Sequence, residues 1–131
     1  MRIPSATYRL QLTPSFGFRE IMEVVSYLAD LGVSDVYASP VFEAVKGSSH
    51  GYDVVDPRQV NGELGGEEGL RQLSKKVKEH GLGWLQDVVP NHMAFDSENV
   101  MLMDVLENGE CSRYFKYFDI DWKHRYEGLR G

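Results

Sequence analysis

A lone cysteine, Cys111, leaves no partner for an internal disulfide. That excludes the small secreted scaffolds that rely on cross-links in place of a core. No stretch approaches the roughly 18 consecutive apolar residues of a membrane-spanning helix. The opening M-R-I-P-S-A-T-Y-R also lacks the apolar centre of a signal peptide. The cytoplasm is therefore the expected compartment, and no membrane partner is expected. Basic residues are in the minority, 14 against 20 acidic ones, for a formal net charge of −6. Such a balance argues against nucleic acid as a partner. Repeats, low-complexity tracts and histidine-rich segments are missing. So is a phosphate-cradling loop: G-E-L-G-G follows a polar connection, and Glu63 would repel phosphate. Neutral polyols or sugars suit this composition better than anions do. What is present is 131 residues, 42% of them hydrophobic, which is enough for one soluble domain.

Hydrophobic spacing divides the chain into alternating elements. Residues 6 to 12, A-T-Y-R-L-Q-L, alternate in part; Thr7 and Tyr8 favour a strand, while Arg9 and Gln11 pull against it. Thr13-Pro14-Ser15 reads as a turn. From Phe18 to about Leu31, the residues Ile21, Val24, Val25, Leu28 and Leu31 recur at helical spacing, and Gly32 stops the helix. Val33 to Ser39 is the second strand, closed by Pro40. Strand, helix and strand in this order predict a βαβ unit with parallel strands. Residues 41 to 66 carry few helical signals and are expected to be a long loop, a feature that is often functional. A second helix is expected from about Glu67 to His80, with Leu70, Leu73 and Val77 buried. Its acidic first turn and its lysines nearer the end match the helix dipole.

The stretch G-W-L-Q-D-V-V-P-N-H, Gly83 to His92, organises the rest. Trp84 to Val89 is nearly continuous in apolar character, which predicts a third strand buried on both faces. A third helix is expected after it, capped by Asp96 or Ser97 and holding Val100, Leu102, Met103, Val105 and Leu106. F-K-Y-F-D-I-D-W, beyond Asn108-Gly109, is rich in strand-favouring aromatics but ambiguous in context. Three parallel strands with two or three helices would leave raw sheet edges, so the α/β fold is expected to belong to something larger.

Two clusters are candidates for a site. Asp87, Asn91 and His92 sit on or just past the C-terminal end of the third strand, where sites form in parallel-strand folds. The alternative is an aspartate capping a turn and an exposed Asn-His. In H-G-Y-D-V-V-D, Tyr52 offers an apolar face and a hydroxyl suited to a sugar ring, while His50 and Asp53 could bond its hydroxyls. The alternative there is a compact loop with Tyr52 packed inward and Asp53 capping a turn. Asp53, Asp56, Asp87, Asn91 and His92 could also supply metal ligands, but they lack the spacing of a calcium loop or a zinc helix.

D-V-V-P-N-H resembles the first conserved region of the alpha-amylase superfamily, and H-G-Y-D-V-V-D-P its loop after the second barrel strand. Within the superfamily the chain is most similar to the maltooligosyltrehalose synthase family. That similarity runs through I-P-S-A-T-Y-R-L-Q, Y-L-A-D-L-G-V-S, Y-A-S-P, G-S-S-H-G-Y-D-V-V-D-P, E-L-G-G-E-E-G and D-V-L-E-N-G, then S-R-Y and F-D-I-D-W. The resemblance implies a partial TIM (β/α)8 barrel: residues 1–92 would form its first three βα units, and 93–131 the start of a domain inserted after strand 3. It implies conversion of the reducing-end α-1,4 bond of a maltooligosaccharide into an α,α-1,1 bond, with a trehalose terminus. By the same resemblance His92 would bond a hydroxyl of the glucose under attack and Tyr52 would stack on that ring. His50 and Asp53 would line the pocket. Asp87 would orient catalytic neighbours, through an arginine elsewhere, and Asn91 would hold the inserted domain. No cofactor or metal is implied, although the Asn91 position serves a structural calcium in many amylases. The family's nucleophile, acid and stabilising aspartate follow strands four, five and seven. The 131 residues alone are therefore expected to do no chemistry, and the remainder of the barrel, in cis or as a split partner, is the expected partner. A hydrolase or intermolecular transferase of the superfamily, and a non-catalytic carbohydrate-binding module, are the competing functions.

Overall fold

The computed structural model describes residues 3–123 and 125–129. The chain forms two compact units, Met1–Ala94 and Phe95–Gly131. The first is built on three short strands, β1 (Thr7–Leu10), β2 (Asp35–Ala38) and the strand Gly83–Gln86, which pair in parallel in that order. In their register Arg9, Tyr37 and Leu85 stand side by side, and Leu10, Ala38 and Gln86 lie one step further on. Neighbours in register share a face of the sheet. Leu10, Val36 and Ala38 therefore face the helices and are buried, with Trp84 packed against the same core.

Helix α1 (Phe18–Asp30) covers that face with Phe18, Ile21, Val25 and Leu28, all essentially buried. It starts at Gly17, whose N–H donates to Glu20 Oε2 at 3.0 Å. A Cβ on Gly17 would lie 2.6 Å from the Leu64 carbonyl oxygen, so the chain crossing there admits no side chain. Leu31, expected on the apolar stripe, is instead the C-cap and 52% exposed, because the helix ends one residue earlier.

Residues 41 to 66 are not a structureless loop. β3 (Phe42–Ala44) and β4 (Val54–Val60) form an antiparallel pair with two irregularities in register. The polar run D-P-R-Q hid β4 from sequence reasoning. Pro57 is tolerated because β4 is paired on only one side. Helix α2 (Gly66–Glu79) follows, with Leu73 and Val77 buried and Leu70 partly so.

Strand β5 (Gly83–Gln86) is shorter than the apolar run that announced it. It is also not buried on both faces, since Leu85 is 38% and Val88 54% exposed. The helices cover the side carrying Trp84; among the described residues of this unit no helix or sheet layer covers the opposite side, with Arg9, Tyr37 and Leu85. A parallel sheet with one bare face is unusual outside a barrel wall, whose bare side faces the barrel interior. The three parallel strands and their two helices thus form part of a (β/α)8 barrel.

In the second unit α3 (Val100–Asn108) buries Met101, Leu102 and Val105. Its cap is Asn99, which accepts from the Leu102 N–H at 3.1 Å, not Asp96 or Ser97. Asp96 instead accepts from the Glu98 N–H at 2.9 Å, forming a turn just upstream. Val100 and Leu106, expected on the buried face, are more than half exposed. Among the described residues F-K-Y-F-D-I-D-W forms no strand, only a short 3-10 turn over Phe115–Tyr117. No described helix is long and apolar enough to cross a membrane.

Candidate functional site

The C-terminal ends of the three parallel strands are stitched together by Ser39, Gln86 and backbone. The Leu12 N–H donates to Ser39 Oγ at 2.8 Å, and Gln86 Nε2 donates to the Ser39 carbonyl at 3.0 Å. The Asp87 N–H donates to the Ala38 carbonyl at 2.9 Å, extending the β2–β5 ladder by one residue. Period-two alternation then aims the Asp87 carboxylate to the bare side of the sheet, with Arg9 and Tyr37.

A second element meets it there. The loop between β3 and β4 folds on itself: Ser48 Oγ donates to Asp53 Oδ1 at 2.5 Å and accepts from the Gly51 N–H at 3.0 Å. The Tyr52 N–H donates to His50 Nδ1 at 3.1 Å. Gly51 has φ +74° and sits where a Cβ would lie 3.0 Å from the Pro40 carbonyl oxygen, which holds the loop against the end of β2. The loop thereby brings Tyr52 to the rim, where its hydroxyl donates to Asp87 Oδ2 at 2.5 Å. Tyr37 Oη donates to the same oxygen at 3.1 Å.

Arg9 closes the cluster. Its Nη2 donates to Tyr52 Oη at 3.1 Å and to Gln11 Oε1 at 3.0 Å, and its guanidinium carbon lies 5.7 Å from the centre of the Tyr37 ring. Gln11 Nε2 donates to the His50 carbonyl at 3.1 Å. The hydrogen bond to Asp87 pushes the Tyr52 phenol above its ordinary pKa; the hydrogen bond from Arg9 opposes that shift without cancelling it. Tyr52 is thus a neutral hydroxyl linking a cation to a carboxylate.

Tyr52 and Asp87, from separate elements, therefore converge. His50 and Asp53 lie beside them: His50 Nδ1 is 3.7 Å from Asp53 Oδ1, and the His50 and Tyr52 ring centres are 6.1 Å apart. Asn91 and His92 follow on an exposed stretch, and His92 Nδ1 lies 3.1 Å from Asn91 Oδ1. Among the described residues the Asp87 carboxylate accepts from two tyrosines, and Arg9 is linked to it through Tyr52. Sequence reasoning missed Arg9, Gln11 and Tyr37 as site residues. Their signal was alternation: Arg9 and Gln11 interleave with Leu10 and Leu12, and Tyr37 with Val36 and Ala38, which puts all three opposite the core.

The alternative metal set does not assemble. Among the described residues no three His, Cys, Asp or Glu side chains are placed to hold a metal ion. Asp56 is buried and gripped by Arg58, with Nε at 2.9 Å and Nη2 at 2.8 Å, and by Gln59 at 3.0 Å. The Arg58 contacts hold its carboxyl well below the usual carboxylate range. A wide groove between β4 and α2 is lined by Arg58, Arg71, Lys75 and Lys78. Within it Arg58 pairs with Asp56, and Arg71 with Glu67 at 2.5 Å.

The pattern of the alpha-amylase catalytic domain matches residues 17–127 of this chain. A crystal structure of maltooligosyl trehalose synthase superposes with a TM-score of 0.88 at 52% identity, over 90% of this chain and 16% of that one. The synthase from Arthrobacter ramosus gives a TM-score of 0.87 at 46% identity, over 91% of this chain and 16% of that one. A cyclomaltodextrinase of Geobacillus thermopakistaniensis is 38% identical over 100 residues, 76% of this chain and 16% of its own length. The chain spans about 16% of the length of the first curated relatives it matches. With the barrel-wall fold and the rim in place, these matches establish that the chain belongs to the alpha-amylase superfamily and is closely related to the maltooligosyl trehalose synthases.

Proposed function

We propose that this chain supplies the first part of the catalytic barrel of a trehalose-forming glucan isomerase. The observation that carries the proposal is the meeting of Tyr52 and Asp87, 2.5 Å apart, at the carboxyl rim of parallel strands. Identities of 46% and 52% to maltooligosyl trehalose synthases favour that enzyme over the cyclomaltodextrinases. The reaction moves the terminal α-1,4 bond of a maltooligosaccharide to an α,α-1,1 bond with retained configuration. One carboxylate attacks the anomeric carbon, a second carboxylic acid protonates the leaving oxygen, and the freed glucose re-attacks through its C1 hydroxyl. Water must be kept out for the last step to win over hydrolysis.

In this scheme Tyr52 stacks on the glucose under attack, His92 bonds one of its hydroxyls, and His50 and Asp53 line the pocket. Asp87 and Asn91 support the site. Nucleophile and acid are assigned to carboxylates on later strands of the family's barrel. The rest of that barrel is the partner, and the cytoplasm is the compartment. Incubating the product of the full reading frame with maltopentaose tests the scheme. The expected product is a non-reducing glycan of unchanged size. Free glucose and shorter maltooligosaccharides without a non-reducing product would refute it and favour a hydrolase.

A further inference from the structure

We propose that Arg9 and Tyr37 are positioning residues that hold Tyr52 and Asp87 in the orientation a sugar ring meets. The inference rests on reading the rim as a glucan site. Tyr52 belongs to a loop, and its hydroxyl ties its ring to the strands. That hydroxyl has two partners: Arg9 Nη2 at 3.1 Å, from β1, and Asp87 Oδ2 at 2.5 Å, just past β5. Tyr37, from β2, donates to the same carboxylate oxygen at 3.1 Å, so all three parallel strands contribute to fixing one aromatic ring. Arg9 is itself held, by Gln11 Oε1 at 3.0 Å and by the Tyr37 ring beneath its guanidinium. Strand β1 grips the loop a second time where Gln11 Nε2 donates to the His50 carbonyl at 3.1 Å.

The direction of each bond gives the cluster its rigidity. Arg9 can only donate, Asp87 as carboxylate can only accept, and the Tyr52 hydroxyl must do one of each. Only one arrangement of protons satisfies all three. Removing Arg9 leaves the phenol a single partner, and the ring can then turn about it. Neither Arg9 nor Tyr37 is assigned a contact with substrate, so both act through Tyr52 and Asp87.

The test compares Arg9→Met, Arg9→Lys and Tyr37→Phe with wild type in the full reading frame. Total consumption of maltopentaose is followed, whatever the products, together with thermal unfolding. In parallel, tyrosine labelled with carbon-13 at Cζ reports the Tyr52 hydroxyl by NMR, its signal identified by its loss in Tyr52→Phe. Arg9→Met should raise KM about tenfold with a smaller change in kcat, the size expected for one charge-assisted hydrogen bond lost at a half-open site. Arg9→Lys, which keeps the charge and a donor, should recover most of that loss. Tyr37→Phe should lower kcat/KM several-fold, and both Arg9→Met and Tyr37→Phe should move the Tyr52 signal. Unchanged kinetics overturn the proposal, whether or not the signal moves. So does a KM rise that Arg9→Lys fails to relieve and that tracks a fall in melting temperature. Products lacking a trehalose terminus refute the isomerase function but leave the KM comparison intact, and a wild type that does not consume maltopentaose overturns both.

Discussion

Replacing Asp87 by Asn changes the rim with almost no change in shape, which makes its consequences calculable. Oδ2 accepts two hydroxyl donors, Tyr52 at 2.5 Å and Tyr37 at 3.1 Å. Hydrogen bonds to a charged acceptor contribute about 1.5–3 kcal/mol and neutral ones about 0.5–1.5 kcal/mol. Losing the charge should therefore cost roughly 1 kcal/mol per bond, or about 2 kcal/mol for the pair in a dry setting. The rim is half-buried, so solvent screening brings the expected loss of stability nearer 1 kcal/mol. The sharper readout is the Tyr52 phenol, which Asp87 holds above its ordinary pKa while Arg9 pulls the other way. A raised folded-state pKa stabilises the fold fully below the unfolded phenol value near 10 and ceases to do so as pH rises through the folded value. In Asp87→Asn the hydrogen bond from Arg9 outweighs the desolvation that remains, so the Tyr52 titration should fall to or below that ordinary value. The alkaline loss of stability that Tyr52 contributes should then disappear. Ultraviolet difference titration against Tyr52→Phe measures the midpoint, and urea unfolding the stability. A Tyr52 midpoint that stays or rises in Asp87→Asn would refute the coupling.

Two further substitutions test what holds the scaffold. Gly17→Ser places a favoured capping residue at the start of α1, yet its Cβ would lie 2.6 Å from the Leu64 carbonyl oxygen. It should destabilise by about 1–3 kcal/mol, as overpacking does, and a stabilised variant in denaturant unfolding would contradict the close approach. Asp56→Asn removes the carboxylate that Arg58 and Gln59 grip. Because that carboxyl is depressed in the fold, its contribution is present above the unfolded pKa near 4 and is lost as pH falls through the folded value. The stability gap between wild type and Asp56→Asn should accordingly be full at pH 7 and narrow in acid; a gap independent of pH would dismiss the ion pair.

The elements with one strong period were legible from residues alone. Ile21, Val24, Val25, Leu28 and Leu31 announced α1, and Leu70, Leu73 and Val77 announced α2. That the strands run parallel followed from their alternation with those helices. The β3–β4 pair was not legible, because D-P-R-Q in β4 breaks every pattern that marks a strand and its pairing is supplied by β3. The apolar run from Trp84 to Val89 misled in another way. Composition showed that it was apolar, not which side would be covered, and Leu85 and Val88 remain exposed in this unit. At the rim, Tyr52 and Asp87 stood out as functional residue types at strand and loop ends. Their contact joins positions 35 residues apart and needs the fold to bring them together. Arg9 and Tyr37 escaped notice because on short strands a polar or aromatic residue reads as noise unless the buried face is already known.

A structure of the full-reading-frame protein soaked with maltopentaose tests most directly whether the rim handles glucan. The expected result is a glucose ring lying against the face of Tyr52 at roughly 4 Å, in van der Waals contact, with His92 in hydrogen-bond reach of one of its hydroxyls. Sugar bound elsewhere, with the Tyr52 face bare, would contradict it.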